Sequence, residues 1–410
     1  AFAIESMMDI LAHELGLDPI ELRRRNALRP GSVTSTGQVL RESVGLLECL
    51  ERVEMEMSRL AAEHCGIGRE ALFKPHADPC SPHLIHAWGI AAAYKNTGLG
   101  GGAADKAAAE VELFSDGNCE VRISSAELGQ GLVSVLQLIV ATELQLPASQ
   151  VRVRLMDTDL TPDGGPTTAS RQTYVSGNAA RLAAQTLRQA IASFLSEKYD
   201  LPPEAVQFVE GLAQINGQSL SLGRIADEML RQGLAPRALY EYWAPATRPL
   251  GEAGDMHFAF SFAVQAAEVE VNTRSGEVRV LRIISANDVG RAINLLTLRG
   301  QIEGGVVMGI GTALTEEFIV ENGQILTDRL ARYRLPSILH TPQIVPIIVE
   351  HPSGEGPYGA KGVGEIVSIP TAPAITNAIF NAVGVRFQRL PVDQEIIALH
   401  LAGALAAMER

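Results

Sequence analysis

The stretch Ala109-Glu-Val-Glu-Leu-Phe-Ser-Asp-Gly-Asn-Cys-Glu-Val-Arg-Ile123 predicts a β-hairpin. Apolar and polar residues alternate on both sides of the turn dipeptide Asp116-Gly117, as they do when one face of each strand is buried. The pattern returns in Ala267-Glu-Val-Glu-Val-Asn-Thr-Arg-Ser-Gly-Glu-Val-Arg-Val280, which turns at Ser275-Gly276. Two copies of one hairpin in a single chain predict a duplicated architecture.

Each hairpin has the same neighbours along the chain. An apolar strand precedes it, at Trp88 to Tyr94 or at Phe258 to Val264, and a helix follows it, at about Leu132 to Leu144 or Leu296 to Ala313. Two sheet-plus-helix units predict an α+β fold with a shared cleft, and they argue against a doubly wound nucleotide-binding fold. The copies are too few and too far apart for a solenoid.

The remainder of the chain predicts helices and connecting segments around these units. Three helical patterns occupy the first 65 residues, and the second begins at the cap Asp18-Pro19. Proline-rich residues 66–85 read as a linker. We therefore divide the chain into a helical segment with linker at 1–80, a first α+β unit at 81–198, a small inserted segment at 199–257, and a second α+β unit at 258–410.

Composition excludes several classes of partner. The 410 residues carry a net charge of −13 without a basic stripe, which argues against binding to nucleic acid or to an anionic membrane. The charge-free run 366–385 is interrupted by prolines and asparagines, so we interpret it as a buried helix and not as a membrane span.

The cysteines are scattered, and His83 and His86 follow Cys80 without zinc spacing, so we expect neither an iron–sulfur cluster nor a structural metal. Scattered thiols and no signal peptide favour the cytoplasm.

The loop Gly359-Ala-Lys-Gly-Val-Gly-Glu365 is a candidate anion cradle. Glycines let the backbone approach a ligand closely, and Lys361 offers positive charge. Glu365 stands at the mouth of this loop and is the carboxylate best placed for chemistry. A plain turn, with Glu365 favouring the positive end of a following helix, explains the same residues.

Two further loops have the composition of ligand sites. Glu127-Leu-Gly-Gln-Gly131 leads into a helix whose N-terminus would attract an anion, although a capped turn fits equally well. In Asp163-Gly-Gly-Pro-Thr-Thr-Ala-Ser-Arg-Gln-Thr173, small residues allow close approach and Arg171 could grip a phosphate, while the hydroxyls could equally cap the next helix. We interpret Asp288 to Asn294 as mainly structural.

Six motifs in order resemble the molybdenum-binding subunit of the xanthine dehydrogenase and aldehyde oxidase family. They run over essentially the whole chain: Phe2-Ala-Ile-Glu5, Leu17-Asp-Pro-Ile-Glu-Leu-Arg-Arg-Arg-Asn26, Gly129-Gln-Gly131, Thr168-Ala-Ser-Arg-Gln-Thr173, Gly177-Asn178 and Gly359-Ala-Lys-Gly-Val-Gly-Glu365.

The resemblance implies a molybdopterin-type cofactor, in its plain or cytosine dinucleotide form, whose dithiolene holds the metal without protein ligands. Glu365 matches the family's general base, and water is the oxygen source. Burial is expected to raise the pKa of this carboxyl above about 4.3. The implied cofactor contacts are Gln130 and Gly131 at the pterin or its phosphate, Ala169 near molybdenum through its backbone, Ser170, Arg171, Gln172 and Thr173 along the remainder, and Lys361, Gly362, Val363 and Gly364 on the other side.

The resemblance also implies partners. We expect an upstream half that completes the cofactor site, and iron–sulfur and flavin groups on other subunits or domains, because the chain has no motif for either. The resemblance is compatible with a homo-oligomer and does not decide the oligomeric state. Ala169 to Thr173 and the loop Asn96-Thr-Gly-Leu-Gly-Gly-Gly102 resemble bacterial purine or N-heterocycle hydroxylases more than aldehyde oxidases, and this resemblance implies a purine or other N-heterocycle as substrate. The alternatives are an inactive scaffold of the same fold and an unrelated phosphate-binding transferase.

Overall fold

The computed structural model describes the backbone of residues 1–408 and their side chains apart from those of Cys65 and 404–408. The helices are α1 Phe2–Glu14, α2 Pro19–Asn26, α3 Leu46–Cys65, α4 Leu132–Leu144, α5 Gly177–Tyr199, α6 Leu222–Arg231, α7 Leu295–Leu314, α8 Leu330–Tyr333, α9 Thr371–Val383 and α10 Gln394–Met408, with a π-helix at Gln172–Ser176. The strands are β1 His76–Asp78, β2 Ser81–Thr97, β3 Lys106–Leu113, β4 Cys119–Ile123, β5 Val151–Leu155, β6 Gln207–Val209, β7 Leu212–Ile215, β8 Gln218–Ser221, β9 Arg237–Trp243, β10 Ala259–Asn272, β11 Val278–Asp288, β12 Val320–Glu321, β13 Gln324–Ile325 and β14 Gln343–Val349.

The larger sheet has five strands in the order β1-β2-β10-β11-β14. Its pairs are antiparallel except β11 with β14, and helices cover both faces. Trp88 and Ile90 of β2 pack in the core under α3, while Ala87 and Ala91 pack on the opposite face in the core under α9. A strand that is apolar on both faces is stable only between two covering layers, which is why β2 lies inside this sheet.

The smaller sheet has four strands in the order β5-β4-β3-β9. Alternate residues of β3, including Ala109 and Val111, enter the core formed with α4 and α5. The opposite face carries charged residues, where Arg122 pairs with Glu110 and Glu112 at 2.6 Å each. The alternation that predicted the first hairpin is therefore the alternation between a helix-covered face and a polar face.

Both predicted hairpins and the α+β class are confirmed. The register of β3 with β4 pairs Glu110 with Arg122, and that of β10 with β11 pairs Glu270 with Arg279. The helices predicted after the hairpins are α4 and α7. The apolar strand predicted before the first hairpin is β2, but it does not join the sheet of that hairpin. It pairs with β10 along 84–97 and so belongs to the sheet of the second hairpin.

The charge-free run near the C-terminus contains the predicted buried helix, α9. Gly89 allows its close approach to β2, because an added Cβ would lie 2.2 Å from the backbone nitrogen of Ala378. The two asparagine amides donate to strand carbonyls, Asn377 to Ile90 at 3.1 Å and Asn381 to Trp88 at 2.8 Å. No helix in the described part of the chain is both long enough and apolar enough to cross a membrane.

Candidate functional site

Glu365 meets two polar side chains from distant parts of the chain. The hydroxyl of Ser170 donates to Oε2 of Glu365 at 2.8 Å, and Lys95 Nζ lies 2.6 Å from the same oxygen. The backbone N–H of Glu365 donates in turn to the Ser170 hydroxyl at 3.1 Å. The carboxylate is half exposed, which differs from the expected burial, and Lys95 is a neighbour that the sequence did not reveal.

Glycine makes the contact between these two loops possible. A Cβ on Gly362 would lie 2.1 Å from the carbonyl oxygen of Ser170, so only glycine fits there. Ala169 and Ser170 both have a φ of 51°, the left-handed region, and Gly98 donates to the Ala169 carbonyl at 2.9 Å. The loops 96–102, 168–173 and 359–365 therefore meet at one place.

A pocket with a mixed polar and apolar lining adjoins this meeting point. Four residues that the resemblance implicates line it together, namely Gln130, Thr173, Lys361 and Val363. Arg291 and Asn294 line it as well, although their loop was interpreted as mainly structural. Their position could have been expected, because this loop joins β11 to α7 as the Glu127 to Gly131 loop joins β4 to α4.

The side chains of Arg171 and Gln172 point into the protein. The Arg171 guanidinium is fully buried, and it donates to Asp105 at 2.7 Å and to the carbonyls of Gly164, Pro166 and Lys106. The Gln172 amide donates to the Thr167 hydroxyl at 2.9 Å. Four internal hydrogen bonds therefore hold the guanidinium in place, and this geometry does not favour the expected phosphate contact through the Arg171 side chain.

Lys361 is likewise held inside the protein. Its ammonium lies 2.7 Å from Asp288 Oδ2 and donates to the Ser43 carbonyl at 3.0 Å, with both charged side chains fully buried. Burial lowers the pKa of the lysine, and Asp288 opposes that shift. The ammonium therefore faces Asp288, a buried partner that the sequence did not indicate, although Lys361 also lines the pocket beside Glu365. Its role as a cationic wall for an anionic ligand stays a prediction.

Backbone N–H groups in and just after the Glu127 to Gly131 loop already donate to an anion of the protein itself, the Glu127 carboxylate. The Glu127 carboxylate accepts from the backbone N–H groups of Gly129 at 2.9 Å, Gly131 at 3.0 Å and Val133 at 3.0 Å. Burial disfavours its charge, but these three bonds outweigh burial and hold the pKa of Glu127 below its ordinary value. The cap interpretation is the one that the geometry supports at these donors.

We expect Glu127→Gln to lower the free energy of unfolding by about 1 kcal/mol at pH 7, the cost of a lost helix cap. Because the folded pKa is depressed, this stability is present above the ordinary value of 4.5 and is lost as the pH falls through the folded pKa. Melting temperatures measured from pH 7 to pH 3 should therefore converge for variant and parent. Glu204→Gln, at an exposed position, is the matched control, and equal melting curves for Glu127→Gln and parent at pH 7 would contradict the cap.

Comparison with known proteins gives concordant matches. The family described as "Molybdopterin cofactor-binding domain" matches residues 61–342. The chain is 31% identical to the xanthine dehydrogenase molybdenum-binding subunit of Escherichia coli O157:H7, over 98% of this chain and 52% of that protein. It is 33% identical to the 6-hydroxypseudooxynicotine dehydrogenase complex subunit gamma of Paenarthrobacter nicotinovorans, over 97% and 49%.

A solved structure has the same fold. The aldehyde oxidoreductase of Desulfovibrio gigas superposes with a TM-score of 0.80 at 27% identity, over 98% of this chain and 40% of that one. The chain thus spans about half the length of the curated relatives that it matches.

Proposed function

We propose, from the premise that this chain belongs to the molybdopterin-binding subunits of the molybdenum hydroxylase family, that it supplies the general base of a hydroxylase. The reaction would replace a C–H bond of an electron-poor carbon with a C–O bond. Water provides the oxygen, and two electrons and two protons are released. The observation that carries this proposal is Glu365, held at its Oε2 where the loops 96–102, 168–173 and 359–365 meet.

The residues around Glu365 fit a cofactor held mainly by backbone and neutral groups. Gly362 packs closely against the Ser170 carbonyl, and Gln130, Thr173 and Val363 line the adjoining pocket. Gly131, Ala169, Ser170 and Gly364 would complete the contacts, whereas Arg171, Gln172 and Lys361 would act by holding the loops. When bound, the molybdenum centre of such a cofactor would accept the two electrons released by the substrate carbon.

Glu365 would take the proton from the attacking oxygen. Ser170 and Lys95 both contact Oε2, so we assign the proton to Oε1. The Lys95 ammonium and the Ser170 hydroxyl both contact Oε2 and thereby fix the orientation of the carboxylate. Orientation by these two contacts is the means by which the chain would prepare the base.

Electrons would leave through partners. A relative that is a complex subunit supports assembly with other chains, and we propose that iron–sulfur and flavin groups lie on them. A second half of the molybdopterin-binding subunit would complete the cofactor site, in either the plain or the cytosine dinucleotide form. Cytoplasmic placement is supported by free thiols at Cys49, Cys80 and Cys119.

We propose a purine or other N-heterocycle as substrate, with aldehydes as the second candidate. A relative named for xanthine supports the first, and a structural match named for aldehydes supports the second. The two loops that favoured a heterocycle meet through the hydrogen bond from Gly98 to Ala169, so both would face the same substrate.

The test is oxidation in ¹⁸O-labelled water. The assembled, molybdenum-loaded enzyme should form a hydroxylated purine that carries the label, and it should turn over benzaldehyde more slowly. Label from molecular oxygen instead of water would contradict the hydroxylase proposal. An assembly without molybdenum and without turnover, after expression with cofactor supply, would favour an inactive scaffold.

A further inference from the structure

A second group of ligand-type side chains lies outside the Glu365 site. One atom each from His76, His86 and Glu268 lies within 4.8 Å of the other two. Glu268 is buried, and the two imidazoles are partly buried. The three residues lie on strands β1, β2 and β10 of the larger sheet and belong to none of the loops 96–102, 168–173 and 359–365.

Strand register brings the group together. Antiparallel pairing sets His76 of β1 opposite His86 of β2. The next pairing sets His86 opposite Glu270 and Trp88 opposite Glu268 on β10. Because side chains two residues apart share a face of a sheet, both histidines and both glutamates project from the same face. The sequence could not indicate this group, since its members come from three strands without metal-ligand spacing.

His76 carries the clearest sign of a missing partner. Both of its ring nitrogens are buried, and neither has a hydrogen bond. Buried polar atoms in folded proteins are nearly always bonded, so an unbonded pair requires an explanation. Burial lowers the pKa of His76, and the neutral imidazole is the form that binds metals.

The surrounding charges are compatible with a bound cation. Arg282 pairs with Glu268, and His86 Nε2 lies 3.1 Å from Glu270 Oε2. The two carboxylates and the one guanidinium together carry a net charge of −1. Glu270 stands where a carboxylate commonly orients a metal-binding histidine through its second ring nitrogen.

We propose that His76, His86 and Glu268 bind a divalent zinc-class cation. Two imidazoles and a carboxylate are ligands that Zn²⁺ accepts, with a fourth position for water. Bonds of about 2.0–2.2 Å place tetrahedral ligands about 3.4 Å apart, so small side-chain rotations would close the site. The ion would join β1, a strand of three residues at the edge of the larger sheet, to β2 and β10.

Zinc titration of the chelator-treated chain tests this proposal, because its readout does not depend on molybdenum or turnover. We expect one Zn²⁺ per chain by calorimetry, visible absorption typical of tetrahedral Co²⁺ when cobalt replaces zinc, and a melting temperature that rises with added Zn²⁺. His76→Gln and His86→Gln should each weaken Zn²⁺ binding at least about tenfold. His83→Gln changes a histidine on the same strand outside the group and should bind as the parent does.

Folding controls distinguish a lost zinc ligand from a variant that does not fold. His76 makes no hydrogen bond through its ring, so His76→Gln should retain the parent's far-UV circular dichroism and its melting temperature in chelator. Glu268→Gln is a weaker choice because it also disturbs the pair with Arg282. A parent that binds no Zn²⁺, or folded His76→Gln and His86→Gln proteins that bind it as tightly as the parent, would overturn the site.

Discussion

Glu365→Gln should lower kcat by about 10² to 10⁴, the usual contribution of a positioned general base. The amide keeps the size of the side chain and can still accept from Ser170, but it cannot take a proton from the attacking oxygen. Because the carboxylate is half exposed and its contacts are to side chains at the surface of the site, the variant should fold normally. Steady-state kinetics on the molybdenum-loaded enzyme, with metal content measured on the same sample, gives the result.

Two further variants separate the base from its surroundings. Glu321→Gln, in the exposed strand β12, should leave kcat unchanged. Lys95→Met removes the ammonium beside Oε2 and should lower kcat less than Glu365→Gln does, while Lys95→Arg retains the charge and should recover part of the loss. Near-parental turnover by a Glu365→Gln enzyme with full molybdenum would show that another group is the base.

Local patterns predicted the hairpins because alternation and turn residues lie within 15 residues of one another. The sheet that each strand joins depends on partners far along the chain. β2 and β3 are consecutive, yet β2 pairs with β10 because both faces of β2 are apolar and need cover from α3 and α9. The two-sided apolar character of Ala87 to Ala91 was the available sign, since a strand of the smaller sheet has one polar face.

The sequence led us to expect that the implicated loops meet, but it did not indicate that two of their cations face the interior. The implicated loops do meet, because their glycines permit contacts such as that of Gly362 with Ser170. Spacing could not tell whether a cation in such a loop faces a ligand or the interior. Arg171 and Lys361 face Asp105 and Asp288, which lie 66 and 73 residues away in the chain. A cation in a glycine-rich loop can thus hold the loop in place instead of binding a ligand.

The interior position of Lys361 leads to the second large effect that we expect. Lys361→Met should lower the free energy of unfolding by about 3–5 kcal/mol, because it leaves the buried Asp288 carboxylate without its cation. Asp288 also accepts from the backbone N–H groups of Gly45 at 2.9 Å and Gly290 at 3.0 Å. The pair therefore joins the start of α3, the end of β11 and the 359–365 loop. Denaturant unfolding of the cofactor-free chain measures this loss.

A double-mutant cycle separates this role from cofactor binding. Lys361→Met combined with Asp288→Asn should cost less than the sum of the two single variants, since the unpaired charge is then gone. Lys106→Met removes an exposed lysine that pairs with Glu241 and should change stability little, as surface pairs do. If Lys361 served the cofactor instead, Lys361→Met would unfold like the parent without cofactor and would lose only molybdenum retention. The fully buried pair with Asp288 favours the first outcome, in which the lysine holds the loop that carries Glu365.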